Sequence, residues 1–281
     1  MYYFRYLTVL ALLYRAKSRK SLTDFGLVVA GISAFIHTLG PSSVNLVLLA
    51  VFFLTSTQLG KVKAEYKNTL TAVSSTKAKE ARNHSQVLAN SAFASFLILV
   101  QHFYGQFEIL TIGVIAQYAA VCADTWASEL GILSKSPPIL ITTLRPCPRG
   151  TNGGVSLYGL QVSIAGGVLM GIVGVLIAPM FASYSVTEKV QFVAFTGVVG
   201  LFGSLLDSLL GALFQNSVVN SAGKIIEQPN GYVVLESEGK LISGNGLLDN
   251  NQVNFLMASH TAILTMALWW MKFGSIDDLF D

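Results

Sequence analysis

The chain has 281 residues, 52% of them hydrophobic and only 12% charged, with a formal net charge of +3. Soluble domains carry about 25% charged residues, so this balance and a mean hydropathy of +0.58 exclude an ordinary soluble domain and place the chain among membrane proteins. Two cysteines, Cys122 and Cys147, and four scattered histidines, His37, His84, His102 and His260, exclude a disulfide framework and give no zinc-ligand pattern.

A helix needs about 20 mostly apolar residues to cross a bilayer. The candidates, in chain order, are 2–14 (short), 24–40, 43–59, 88–104, 108–133, 155–181, 190–214 and 252–273. The expected fold is all-α, a polytopic bundle of seven to eight transmembrane helices forming one domain over 1–281. The first segment has its basic run after its apolar run and no Ala-x-Ala site, so it reads as a retained short span or an interfacial helix. The long polar loops are 60–87, 134–154 and 216–249. The last contains Pro229-Asn230-Gly231 and Glu236-Ser237-Glu238-Gly239 and reads as a surface turn or hairpin.

Lys and Arg alternate from loop to loop. Arg15, Lys17, Arg19 and Lys20 follow the first segment. Lys61, Lys63, Lys67, Lys77, Lys79 and Arg82 follow the third, Lys135, Arg145 and Arg149 the fifth, and Lys224 and Lys240 the seventh. The alternate loops hold only Lys189, and the C-terminal tail is acidic with Asp277, Asp278 and Asp281. The positive-inside rule makes the basic loops cytoplasmic.

Ionised side chains are costly inside a span, so those present need a reason. Asp124 and Glu129 lie in the fifth span and Asp207 in the seventh, each in the half leading to a basic loop. At about 100° per residue, Asp124, Thr125, Ser128 and Glu129 fall on one side of their helix. Such hard oxygen ligands suit Mg²⁺; bonding between helices is the other reading. In the seventh span Gly203, Asp207 and Gly211 share a face with Ser204 beside them.

The loop Arg145-Pro146-Cys147-Pro148-Arg149-Gly150-Thr151-Asn152-Gly153-Gly154-Val155-Ser156 could form an anion-binding nest, with Arg145 and Arg149 adding charge. By itself it could equally be a turn capping the next span. Asp249-Asn250-Asn251-Gln252-Val253-Asn254 enters the eighth span as an N-cap or a ligand contact. Ser56, Lys61, Lys63, Arg82, Asn83, Gln86 and Asn90 flank the loop at 60–87. All five groups belong at the cytoplasmic boundary, which fits a polyphosphate held over a lipid substrate.

The same residues resemble a known family. Asp124-Thr125-Trp126-Ala127-Ser128-Glu129-Leu130-Gly131, Gly150-Thr151-Asn152-Gly153-Gly154-Val155-Ser156, Gly203-Ser204…Asp207-Ser208…Leu210-Gly211-Ala212, Asp249-Asn250-Asn251…Val253-Asn254 and Arg82-Asn83…Gln86-Val87…Asn90 are similar to motifs of the transmembrane protein 19 family. That family includes plant phytyl-phosphate kinase of vitamin E synthesis. Ala123 stands where the family often has Gly, Arg149 where Lys is common, and Thr55-Ser56-Thr57-Gln58 replaces a more serine-rich stretch.

The resemblance implies phosphoryl transfer from CTP or another NTP to an isoprenyl monophosphate, giving the diphosphate. In the reading adopted, Asp124, Glu129 and Asp207 are catalytic and hold Mg²⁺. Arg82, Asn83, Arg145, Arg149, Gly150, Thr151, Asn152, Gly153, Gly154, Asn250, Asn251 and Asn254 bind nucleotide or phosphate. The expected partners are the lipid bilayer, the isoprenyl monophosphate and the nucleotide, with no nucleic acid, in an endomembrane such as the endoplasmic reticulum. A transporter or lipid scramblase using the same carboxylates, or a non-catalytic membrane protein, is the alternative.

Overall fold

The computed structural model describes residues 2–40, 42–73, 81–105, 107–227 and 239–273. Lys77, Lys79, the Pro229-Asn230-Gly231 turn, Glu236–Glu238 and the acidic tail lie outside them. The described residues form an all-α membrane bundle. Its elements are α1 (Tyr2–Ser18), α2 (Asp24–Ile36), α3 (Val44–Lys61), α4 (Ala64–Leu70), α5 (His84–Tyr104), α6 (Glu108–Gly131), α7 (Leu157–Ile177), α8 (Val186–Phe214) and α9 (Asn250–Phe273). Five of them, α3, α5, α6, α7 and α8, are long and apolar enough to cross a membrane; α2 is a shorter apolar helix.

Helix starts follow their capping residues. Thr23 accepts from the Gly26 amide and Ser156 from the Gly159 amide, each at 3.1 Å. Asn83 with Gln86, Ser185 with Glu188, and Asp249 with Gln252 form reciprocal boxes that satisfy otherwise orphaned amides. The span starts therefore fall near Ser, Thr, Asn and Asp, rather than at the first apolar residue.

α1 runs the length of α2. Near its start, Arg5 donates to the Thr38 carbonyl and Ser43 Oγ, both at 3.1 Å, and to the Gly40 carbonyl. Just past its end, the Arg82 amide donates to the Ser21 carbonyl. Seventeen residues rise about 26 Å, and α1 is tied to the rest of the bundle near both ends.

α6 is the axis. Every residue from Ile112 to Ala123 is buried, and α3, α5, α7, α8 and α9 pack directly on it. Small residues set how close they come. A Cβ on Gly166 would lie 2.9 Å from the Ala123 Cα, and one on Gly203 would lie 2.7 Å from the Ala120 Cβ. Without a hydrophobic force between helices in lipid, such close backbone packing is a main source of association.

Short strands gather at the end of the bundle that carries the basic loops. β1 (Ala72–Val73) pairs in parallel with β6 (Ile226–Glu227). β2 (Ile139–Leu140) lies between β3 (Arg145–Pro146) and β4 (Gly154–Val155), antiparallel to both. β5 (Ser217–Val219) pairs antiparallel with β7 (Lys240–Ser243). These strands hold the loops across the mouth of a cavity.

Candidate functional site

α6 and α8 run in the same direction, and their contact at Ala120 and Gly203 sets the distance between them. One helical turn further on each helix stands a carboxylate, Asp124 on α6 and Asp207 on α8. The two carboxyls come into hydrogen-bonding contact. Two carboxyl groups this close cannot both carry full charge without a proton or a cation between them. With its amide turned to suit its neighbours, Asn254 donates to Asp207 Oδ1 at 3.2 Å and to the Asn250 carbonyl at 3.0 Å.

The pair lines a cavity of about 490 Å³, within the range of small-molecule sites. α6 also contributes Thr125, Ser128 and Glu129, and α8 contributes Ser204 and Ser208. The Arg149–Gly154 loop roofs the cavity, and Asn250 and Asn251 enter from the start of α9. On the α5 side stand Arg82, Gln86 and Asn90. Asn90 Oδ1 is buried there without a hydrogen-bond donor, a polar atom aimed at whatever fills the space.

Arg82 is the cation of this wall. Its backbone is fixed to the Ser21–Thr23 segment, and no side-chain hydrogen bond among the described residues anchors its guanidinium. Burial lowers its pKa from the ordinary arginine value, while the charge of Glu129 opposes that shift. It remains a cation across the physiological range, because an arginine does not deprotonate in proteins.

Glu129 lines the cavity but does not join the other two carboxylates. It forms an ion pair with Lys67 of α4, whose ammonium also donates to the Leu59 carbonyl at 3.0 Å. Among the described residues, no group of three or more His, Cys, Asp or Glu converges as a metal cage. Asp124 and Asp207 face each other, while Glu129 is turned to Lys67. Lys67, which the sequence offers as one of a run of topological lysines, is instead a buried partner that fastens α4 over α6. Losing one member of a largely buried pair costs about 3–5 kcal/mol. Glu129→Gln is expected to be the more destabilising change, because it leaves both Lys67 and Arg82 uncompensated, whereas Lys67→Met leaves Glu129 facing Arg82. Thermal unfolding of the two variants in detergent measures the difference.

The glycine-rich loop is more self-satisfied than a bare nest. The Thr151 amide donates to the Pro148 carbonyl, Gly154 to Thr151, and Asn152 to Ser217 Oγ. The Asn152 side chain donates to the Asn216 carbonyl at 3.0 Å. Arg149 donates to the Ser134 and Lys135 carbonyls and so ties the loop to the end of α6. Among the described residues, the amides of Gly150 and Gly153 donate to no protein group. Gly150 and Gly153 have φ of +85° and +80°. A Cβ on Gly153 would also run into Ala212 Cβ and the Ser208 carbonyl. Gly153→Ala is expected to cost at least about 1–3 kcal/mol from backbone strain alone and to lift the loop off α8, read as a lower unfolding temperature.

Two expected ligands stand elsewhere. Arg145 is exposed in β3, outside the cavity, because strand pairing with Leu140 turns that part of the loop away. Asn83 is buried as the cap of α5, and its side chain accepts from the Gln86 amide rather than lining the space. Asp249 caps α9 and also lines the cavity. Gln215, Asn216 and Ile225 line the cavity without having been expected. Gln215 and Asn216 follow a long apolar run directly, which is the signal that could have marked them.

The chain is similar to several membrane proteins. Protein PGR of Arabidopsis thaliana is 36% identical over 269 residues, covering 90% of each chain. An uncharacterized membrane protein of Methanocaldococcus jannaschii is 32% identical over 211 residues, 74% of this chain and 79% of its own. Protein VTE6, chloroplastic, of Arabidopsis thaliana is 27% identical over 181 residues, 62% of this chain and 50% of its own. No solved structure matches the chain. The family described as integral membrane protein DUF92 matches residues 7–262, and this chain belongs to it.

Proposed function

We propose that the protein is a membrane-embedded lipid-phosphate kinase that moves a phosphoryl group from CTP or another NTP to an isoprenyl monophosphate. The observation that carries the reading is one polar cavity in which the Asp124–Asp207 carboxyl pair faces Arg82 and the Gly150–Gly154 backbone. The motif resemblance to plant phytyl-phosphate kinase supports the acceptor. The cavity faces the cytoplasm in this reading, because the basic loops flank it. An endomembrane is the proposed home; one relative is named as chloroplastic, so the endoplasmic reticulum is not specified by family membership.

The chemistry asks little of the protein beyond position and charge. An oxygen of the acceptor monophosphate attacks the γ-phosphorus of the NTP. A new P–O bond forms, the bond from that phosphorus to the β–γ bridging oxygen breaks, and the NDP leaves with the electron pair. The acceptor oxygen is already ionised, so no general base is needed. Arg82 offsets charge on the phosphates, and the Gly150 and Gly153 amides are donors for phosphate oxygens. Ser128, Ser204 and Ser208 are further hydroxyl donors.

The donor set fits magnesium. Asp124 and Asp207 supply two carboxylates, and this cation is commonly held by one or two carboxylates together with substrate phosphates. Bound there, it would neutralise charge on the nucleotide phosphates.

The test is direct. Purified full-length protein in lipid nanodiscs is given radiolabelled CTP or ATP, magnesium and a panel of prenyl monophosphates. Labelled prenyl diphosphate is the expected product; its absence with every nucleotide and acceptor would overturn the assignment.

A further inference from the structure

The polar cavity does not end at Arg82. A narrow apolar groove of about 80 Å³ begins there and shares Arg82, Gln86 and Asn90 with it. From that shared rim it runs inward between α1, α2, α3 and α5, lined by Leu13, Ala30, Ala34, Leu49, Phe52 and Phe53. Its walls are almost wholly hydrocarbon, whereas the cavity on the other side of Arg82 is polar.

A ligand bridging the two compartments must therefore carry an anionic head and an apolar chain joined at the position of Arg82. We propose that this groove is the tail subsite of the lipid monophosphate. It takes the first isoprene unit beside the phosphate, and the rest of the chain lies in the bilayer along α1. The inference rests on the kinase reading and adds the element that selects the acceptor.

Three features argue for this occupant. The groove starts at the cation that would hold the acceptor phosphate, so head and tail are placed by one side chain. Ala30 and Ala34 leave room where larger side chains would fill it. The volume suits only a few carbons, so the groove reads the structure next to the phosphate rather than total chain length. The outer wall is α1, which packs chiefly on α2 and presents Leu7, Leu10 and Tyr14 outward. Lipid is therefore the natural continuation of a chain leaving the groove.

The experiment compares full-length wild type, Ala30→Leu and Leu13→Ala in nanodiscs with farnesyl monophosphate. Each is also exposed to a farnesyl monophosphate analogue with a photoreactive diazirine on its first isoprene unit. Ala30→Leu fills the groove and is expected to raise the KM for the lipid at least about tenfold, the scale of a small size mismatch in an apolar pocket, with the nucleotide KM unchanged. Leu13→Ala widens the groove and is expected to improve turnover of an acceptor with a bulkier first unit. Equal lipid KM values in all three proteins would overturn the subsite while leaving the kinase reading standing. If wild type makes no diphosphate, the kinase reading fails, and the crosslink alone decides the subsite. Labelling of α1, α2, α3 or α5 at the groove, lost in Ala30→Leu, upholds it; labelling elsewhere or none overturns it.

Discussion

Asp124→Asn and Asp207→Asn are each expected to lower diphosphate formation by about 10³-fold or more, while the protein remains folded in the membrane. The magnitude is that of removing one preorganised electrostatic contact from a buried reaction site, and here the charge removed is one of only two acidic charges in the pair. The fold should survive. An amide is nearly isosteric with the carboxyl and can still donate to the remaining partner, and the repulsion between two like groups disappears. Thermal unfolding in detergent is therefore expected at the wild-type temperature or above it, a stability gained at the expense of activity. That combination separates a working site from interhelical glue. If Asp124 and Asp207 served only to bond α6 to α8, asparagine would keep the bond and turnover would stay near wild type in both variants. Activity within tenfold of wild type in both would remove the carboxyl pair from the mechanism.

Much of this architecture is legible in the residues themselves. The apolar runs mark the helices among the described residues other than the short α4, with boundaries moved by a few residues wherever a cap extends a helix beyond its apolar part. Asn83–Gln86 starts α5 four residues before the apolar run, and Ser185–Glu188 does the same for α8. Hydropathy alone does not tell a short span from an interfacial helix; for α1 the contacts of Arg5 fix its start against the α2–α3 turn. Asp124, Asp207, Arg82, Asn254 and the glycine loop converge because every one lies at the same depth, and depth is readable from span order.

What the sequence hides is which partner a polar residue chooses. Glu129 lies five residues beyond Asp124, about 140° around the helix, and Lys67, 62 positions away, takes it. Helical periodicity gives the face but not what a separate short helix brings to it. Arg145 and Arg149 look interchangeable in a basic loop; strand pairing sends one outward and carbonyl contacts draw the other in. Asn83 belongs to a helical face with Gln86 and Asn90, but its side-chain oxygen caps its own helix and the residue does not line the cavity.

Gly203 carries the second large effect, because the carboxyl pair depends on how closely α6 and α8 approach one turn earlier. A side chain at this position meets Ala120 Cβ at 2.7 Å and Ala120 Cα at 3.0 Å, neither of which can swing aside. Gly203→Val is expected to cost about 1–3 kcal/mol of stability by overpacking. Activity is expected to fall about 10²-fold, the penalty for displacing reacting groups by roughly 1 Å. Helix propensity works the other way, since replacing a mid-helix glycine with alanine ordinarily stabilises by about 1 kcal/mol, so any loss in Gly203→Ala reflects the contact. The compensating change is Ala120→Gly, which removes the nearest obstructing atom. In the Gly203→Ala background it is expected to recover most of the lost activity, a coupling between touching sites rather than additive behaviour. Gly31→Ala is the control: its Cβ would meet the Leu13 methyls at 3.5 and 4.0 Å, ordinary contacts, and neither stability nor turnover should fall. If Gly203→Val leaves turnover intact, or if Ala120→Gly restores nothing, then something other than the α6–α8 approach brings Asp124 to Asp207, and the carboxyls must be held by their own contacts with Asn254 and the loop above them.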